Sequence, residues 1–215
     1  MIETSKKEVC EVMNKYGKVL VGQEYPVGNA KFILQTEEGV FATKSNVDFA
    51  NITEDDIEKL WVKELPIHKA EMKAIVYSQT PSCMQCLKEA KPFPAMLDDM
   101  AQIFGPACYI VDGRDGNDSR GKSIFKALKS NVGCLVLKGF NKKGEGLGYT
   151  ITMGRNLYEA VVATNVLEKS AEVFLLAEKI GGGKPIPKWE AKLMRMVYKK
   201  KYSKAEEKVK ASEVK

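Results

Sequence analysis

Glu64 and His68 stand four residues apart in Glu64-Leu65-Pro66-Ile67-His68, and His68 is the one histidine among 215 residues. Histidine is the commonest metal ligand and the commonest general base near neutral pH, so this count excludes a His-rich zinc site and a two-histidine relay. On local grounds Glu64 reads as a surface or capping carboxylate beside Pro66, and His68 as a packed or capping imidazole. A second candidate is Cys83-Met84-Gln85-Cys86. Two thiols at the start of a helix that follows a strand could be a redox pair, because a helix N-terminus lowers a thiol pKa. They could equally be ordinary helix cysteines or replacement metal ligands, since a lone pair lacks the second Cys or His pair of a structural zinc site.

The elements that would position these groups follow from apolar spacing. Ser5 with Glu8 reads as a capping box, and Val9, Val12, Met13 and Tyr16 recur at helical spacing until Gly17. Residues 31–35 and 39–43 read as the two strands of a hairpin. Thr53 and Asp56 predict a short helix to about Trp61. Strands are expected at 72–77, 107–111, 133–137 and 147–152, with helices near 82–90, 95–104 and 119–130. Asn156 to Ile180 predicts the longest helix, stopped by Gly181-Gly182-Gly183 and Pro185. The sum is a mixed sheet packed between helices, with no internal repeat.

Composition sets outer bounds. An apolar content of 44% is ample for a sizeable core in one domain. The start of the chain lacks the apolar region of a signal peptide, and no apolar run approaches a membrane span. Five scattered cysteines (Cys10, Cys83, Cys86, Cys108, Cys134) suit a reducing compartment better than a disulfide framework. A cytoplasmic protein is expected. The net charge of +6 is uneven: Lys184 to Lys215 holds eleven Lys or Arg against four Glu, a surplus of seven that leaves residues 1–183 at −1. The expected organisation is a domain over residues 1–195 and a basic, partly disordered tail over 196–215. Across the boundary between the two, Trp189, Leu193, Met196 and Val197 share one helical stripe, which predicts docking through that face. No nucleic-acid motif accompanies the basic residues, so nucleic acid is not an expected partner.

The order of motifs resembles the class II aldolase/adducin family. Gly28-Asn29 before a hairpin is similar to the family's Gly-Asn-(Ile/Leu)-Ser start. Phe41-Ala42-Thr43-Lys44-Ser45-Asn46 is similar to its Ile-Thr-Pro-(Ser/Thr)-Gly loop, with Ile52-Thr53-Glu54-Asp55-Asp56 after it. Glu64 with His68 matches the Glu-x-x-x-His step, and Leu97-Asp98-Asp99-Met100-Ala101-Gln102 matches a run seen in some members. The helix beginning Asn156-Leu157-Tyr158-Glu159-Ala160, with Leu167-Glu168 further along, resembles the family's closing helix. The resemblance spans residues 5–195. It implies a three-layer α/β/α domain around a mixed, mostly antiparallel sheet, and a homo-oligomer, in the family a tetramer with sites between subunits.

The departures concern the metal. Family enzymes hold a zinc-type ion with a His-x-His pair at one strand end and a third histidine at a later one. Here Tyr77 and Gln79 stand at the pair and Phe140 at the third place, so the resemblance implies an altered pocket with no zinc and no other cofactor. Glu64 matches the family's general acid/base and is the candidate catalytic residue. Gly28, Asn29, Ser45 and Asn46 supply backbone N–H, amide and hydroxyl donors for an anion, Lys63 adds a positive charge, and the same residues could simply permit turn geometry. Asp112 falls near a family proton donor, or serves a solvated turn.

Three functions remain open on these grounds. One is a divergent aldolase-like protein binding a small phosphorylated or carboxylated sugar-like metabolite without zinc-dependent aldol cleavage. Another is a carbon-carbon lyase or sugar-phosphate epimerase using Glu64 with a rearranged or absent metal. The last is an adducin-like, non-enzymatic interaction module acting through its basic tail.

Overall fold

In a computed structural model of the chain, residues 6–23, 25–62, 65, 71–113, 124, 127–128 and 131–213 are described. Helix α1 (Lys6–Val21) leads into the hairpin β1 (Lys31–Thr36) and β2 (Gly39–Thr43), a 3-10 turn (Glu54–Asp56) and β3 (Ile57–Lys59). Then come β4 (Ala74–Ser78), α2 (Pro81–Lys88), β5 (Phe93–Pro94), α3 (Asp98–Ile103), β6 (Ala107–Cys108) and β7 (Ile110–Asp112). The long hairpin β8 (Gly133–Phe140) and β9 (Gly146–Gly154) precedes α4 (Leu157–Lys179) and α5 (Lys188–Glu213).

Seven strands form one sheet in the order β3-β2-β1-β4-β9-β8-β7, and β5 pairs with β6 separately. Only the β7–β8 pairing is parallel, so the sheet is mixed and mostly antiparallel. One face packs under helices: Val9, Met13 and Leu20 of α1 meet Phe32, Phe41 and Val76 together with Leu157 and Val161 of α4. Beside them α2 and α3 bring Leu87 and Met100 against Leu135, Leu137 and Leu167. The opposite face carries Val40, Ile75, Cys134, Val136, Ile151 and Met153, covered by Leu65, Leu128, Ile124 and Ala127, the last three helical. Alternation along β4, β8 and β9 feeds both faces, as a sheet buried on two sides requires.

Several boundaries differ from the sequence expectation for physical reasons. Helix α1 runs past Gly17 to Val21. A Cβ at position 17 would stand 2.3 Å from the carbonyl oxygen of Phe49, so this glycine permits a close approach instead of ending the helix. The capping box of Thr53 and Asp56 forms, with Asp56 Oδ2 accepting from Thr53 N at 2.8 Å, yet it starts one 3-10 turn only. Ile57 is then drawn into pairing with Thr43, where its β-branched side chain is buried. The run 107–111 divides between two sheets: Cys108 pairs with Phe93 and Ile110 with Leu135. Little of the helix expected at 119–130 lies among the described residues.

Helix α4 stops where expected, with Gly181 and Gly182 at φ +98 and +97 and Gly182 N donating to Ala177 O at 2.8 Å. The longest helix is nevertheless α5, 26 residues against 23 for α4, and it crosses the position 195/196. Its Lys-, Ala- and Glu-rich end has high intrinsic helix propensity and needs no core to be helical. The docked face is also the opposite of the expected one. Ala191 and Arg195 are buried, whereas Trp189, Leu193, Met196 and Val197 are 69%, 46%, 61% and 56% exposed. Arg195 Nη1 donates to Ile103 O, fixing α5 to the end of α3.

Candidate functional site

Two turns far apart in sequence meet at one end of the sheet. Gly28 has φ +60, and a Cβ there would lie 2.8 Å from the Gln79 carbonyl oxygen, so only glycine lets the 27–29 turn sit against the end of β4. Gln79 N donates to Val27 O at 3.0 Å, and Asn29 Nδ2 donates to Gln79 Oε1 at 3.0 Å. Asn46 has φ +59, the left-handed conformation that asparagine tolerates, and so turns the chain after β2. Gly28, Asn29, Ser45 and Asn46 line a single cavity of about 510 Å³, together with Lys31, Lys44 and the buried Phe49. Phe32 N donates to Thr43 Oγ1 at 3.0 Å, which locks the hairpin that carries both lysines. Lys31 Nζ lies 3.5 Å from Glu58 Oε1 in an exposed pair.

Next to this cavity Gln79 Nε2 donates to Gly148 O at 2.8 Å, so both atoms of its amide have partners. Tyr77 packs on Tyr149 with ring centres 5.5 Å apart. Burial pushes the Tyr77 hydroxyl up to about 12 and raises Tyr149 as well, so both phenols stay protonated at neutral pH. Lys138 Nζ lies 4.8 Å from the centre of the Tyr149 ring, a cation–π contact.

Phe140 is turned elsewhere. An irregularity in β8 between Leu137 and Gly139 shifts the register, so that Phe140 pairs with Gly146, whose Cβ position points at Leu87 of α2. Residues directly opposite in an antiparallel pair share a face, which puts Phe140 on the α2 side and away from Tyr77. The position on the Tyr77 face is Lys138, in alternation with Cys134 and Val136. Lys63, Glu64 and His68 lie outside the described residues. Asp112 is exposed and pairs with Leu137 at the edge of the sheet.

The two thiols of the Cys-x-x-Cys segment are buried. Glu168 of α4, itself 2% exposed, accepts from Ser82 N at 2.7 Å and Cys83 N at 3.0 Å. This carboxylate occupies the N-terminus of α2, where a thiolate would otherwise gain its stabilisation. Burial pushes Cys83 well above its ordinary value and Cys86 up to about 12, the opposite of a reactive redox pair. Leu167-Glu168 belongs to the helix that carries the resemblance, yet the capping role of Glu168 is hidden in the sequence because a charged residue within a helix ordinarily faces water. Lys138 was open to detection through the period of two along its strand.

The arrangement defines a class by its fold: a seven-stranded, mostly antiparallel sheet with the topology of the class II aldolases. An L-fuculose 1-phosphate aldolase superposes with a TM-score of 0.70 over 93% of this chain and 98% of its own, at 22% identity. The L-fuculose-1-phosphate aldolase from Thermus thermophilus does so with 0.64, covering 83% and 98% at 18% identity. YgbL from Escherichia coli, a putative aldolase/epimerase/decarboxylase, gives 0.64 over 88% and 99% at 16% identity. No protein-family model and no curated protein sequence matches the chain. At these identities the likeness establishes the fold.

The zinc-type ion that the family enzymes hold does not fit the side chains at the matching place. They are two protonated phenols, an amide whose oxygen already accepts from Asn29, and an ammonium that would repel a cation. Among the described residues no group of three or more His, Cys, Asp or Glu is gathered to hold a metal ion.

Proposed function

We propose that the chain is a divergent relative of the class II aldolases that binds a small phosphorylated or carboxylated sugar-like metabolite without zinc-dependent aldol cleavage. The observation that carries this reading is the convergence of Gly28-Asn29 and Ser45-Asn46 on one cavity with Lys31 and Lys44. Amide, hydroxyl and backbone N–H donors with two ammonium groups are the chemistry of an anion site. The matched solved structures, two of them aldolases of a sugar phosphate, support the ligand class. A protein that stabilises an enediolate needs preorganised positive charge at the developing oxyanion, and the loss of a fitting metal donor set argues against cleavage by the zinc route.

Thermal unfolding in the presence of phosphorylated three- to six-carbon sugars tests the reading. A ligand at about 100 times its Kd stabilises by about 2.7 kcal/mol, which raises Tm by several degrees in a chain of this size. The expected result is such a shift with at least one sugar phosphate, lost in Lys44→Ala, with no consumption of the ligand. Turnover that disappears in Glu64→Gln would instead establish a lyase or epimerase. Self-association belongs to the same proposal, since the exposed apolar stripe of Trp189, Leu193, Met196 and Val197 is a surface that a second copy of the chain would cover.

A further inference from the structure

Gln79 makes three hydrogen bonds at the point where the 27–29 turn meets the sheet. Its backbone N donates to Val27 O at 3.0 Å, its Oε1 accepts from Asn29 Nδ2 at 3.0 Å, and its Nε2 donates to Gly148 O at 2.8 Å. The last pair between β4 and β9 is Ser78 with Thr150, so the Gly148 carbonyl lies beyond the end of that ladder and takes its donor from the side chain. A backbone carbonyl only accepts, and this sets the polarity of the whole relay. Gln79 must offer Nε2 to Gly148, which leaves Oε1 toward the turn, and Asn29 must then answer with Nδ2. One of the two N–H groups of Asn29 Nδ2 is used in this way. The other has no acceptor among the described residues, and Asn29 lines the cavity.

We infer that Gln79 is a positioning residue of the anion site: by holding the Asn29 amide, it makes that side chain meet a bound phosphate with N–H and not with oxygen. The inference rests on the reading that the cavity of Asn29, Lys44 and Asn46 takes the phosphate. The two ends of an asparagine amide have nearly the same shape and opposite polarity. Asn29 is exposed, and no other hydrogen bond holds its side chain among the described residues. Free to turn, it would set its oxygen against the anion in part of the population, and binding would have to stop that rotation as well. Held by Gln79, the donor is in place before the ligand arrives. Gln79 stands where the family enzymes carry the second histidine of their metal-binding pair, and here that position serves the anion turn.

Calorimetric titration of glycerol 3-phosphate into the full chain, Gln79→Met, Asn29→Ala and the double variant tests this. Asn29→Ala should bind about tenfold more weakly, the loss of one charge-assisted hydrogen bond, and Gln79→Met about fivefold more weakly. The double variant should match Asn29→Ala, because a residue that acts through Asn29 then has nothing left to act on. Independent effects would instead multiply to about fiftyfold. A general loosening of the turn by Gln79→Met would persist in the Asn29→Ala background, so the cycle distinguishes positioning from a structural role. Affinity unchanged in Gln79→Met, or losses that multiply, would overturn the inference and leave the phosphate site standing. Absence of binding by the unaltered chain would overturn the phosphate site itself, and the inference with it. A second measurement needs no change at Gln79. In the nuclear magnetic resonance spectrum of the unaltered chain, saturation with glycerol 3-phosphate should shift the side-chain amide proton signals of Asn29, identified by their absence in Asn29→Ala. Binding that leaves those signals unmoved would also overturn the inference.

Discussion

Asn46 separates backbone geometry from binding. Its φ of +59 is equally open to glycine, so Asn46→Gly should leave Tm within about a degree while removing an amide donor from the cavity. Asn46→Val should cost about 1–2 kcal/mol, because a β-branched residue in the left-handed region is strained. Paired denaturant melts and phosphate-ester titrations distinguish the two effects. Glu168 makes the sharper prediction for stability. Removing its carboxylate in Glu168→Ala leaves the N–H groups of Ser82 and Cys83 without their acceptor beneath α4, at a cost of about 3 kcal/mol. Urea unfolding that finds Glu168→Ala as stable as the parent would refute this capping role. At this scale the sequence was informative where turn chemistry fixes the residue, as at Gly28-Asn29 and Ser45-Asn46. It failed at Phe140, because a one-residue irregularity in β8 reverses the side-chain face, a break for which Gly139 is the one local signal.

At the scale of elements, packing decides between the readings open for α2 and reverses the one made for α5. The start of α2 left ordinary helix cysteines, a redox pair and metal ligands open, and its helix N-terminus is occupied by Glu168 while the thiols enter the core. Buried thiols with raised pKa make stability pH-dependent in a defined direction. Cys86 and Cys134 are pushed from 9.0 up to about 12 in the folded chain, so above pH 9 the unfolded chain releases these protons and the folded one holds them. Their contribution is fully present below pH 9 and is lost as pH rises from there toward 12. Tm should therefore fall progressively between about pH 9 and about pH 11, and a thiol reagent near neutral pH should label the folded chain slowly and all five cysteines after unfolding. Rapid labelling of Cys83 in the folded chain would contradict the packing described. Helix α5 shows the limit of amphipathic reasoning. Its larger apolar residues share a stripe, yet the smaller Ala191 and the Arg195 guanidinium face α3, because close contact and a carbonyl acceptor are what that neighbour offers. A pattern of apolar residues shows which face avoids water, and here the neighbouring element did not cover it.

At the scale of the molecule, the fold was legible because strand and helix periodicity and the order of weak motifs agree with one another, even though no single motif is decisive. Among the described residues no helix is long and apolar enough to cross a membrane. The exposed stripe on α5 predicts self-association: the chain should elute at a multiple of 23.9 kDa, and Leu193→Lys with Met196→Lys should return it to 23.9 kDa. Light scattering coupled to gel filtration reads both masses, and a parent chain at 23.9 kDa would sink that part of the proposal. The central claim is that this sheet end holds an anionic metabolite through lysines, amides and turns in place of a metal. Titration of glycerol 3-phosphate into the chain before and after exhaustive chelation tests it most directly. The account predicts saturable binding to one site per chain that chelation leaves unchanged and Lys44→Ala abolishes. Binding that disappears on chelation and returns with zinc would contradict it.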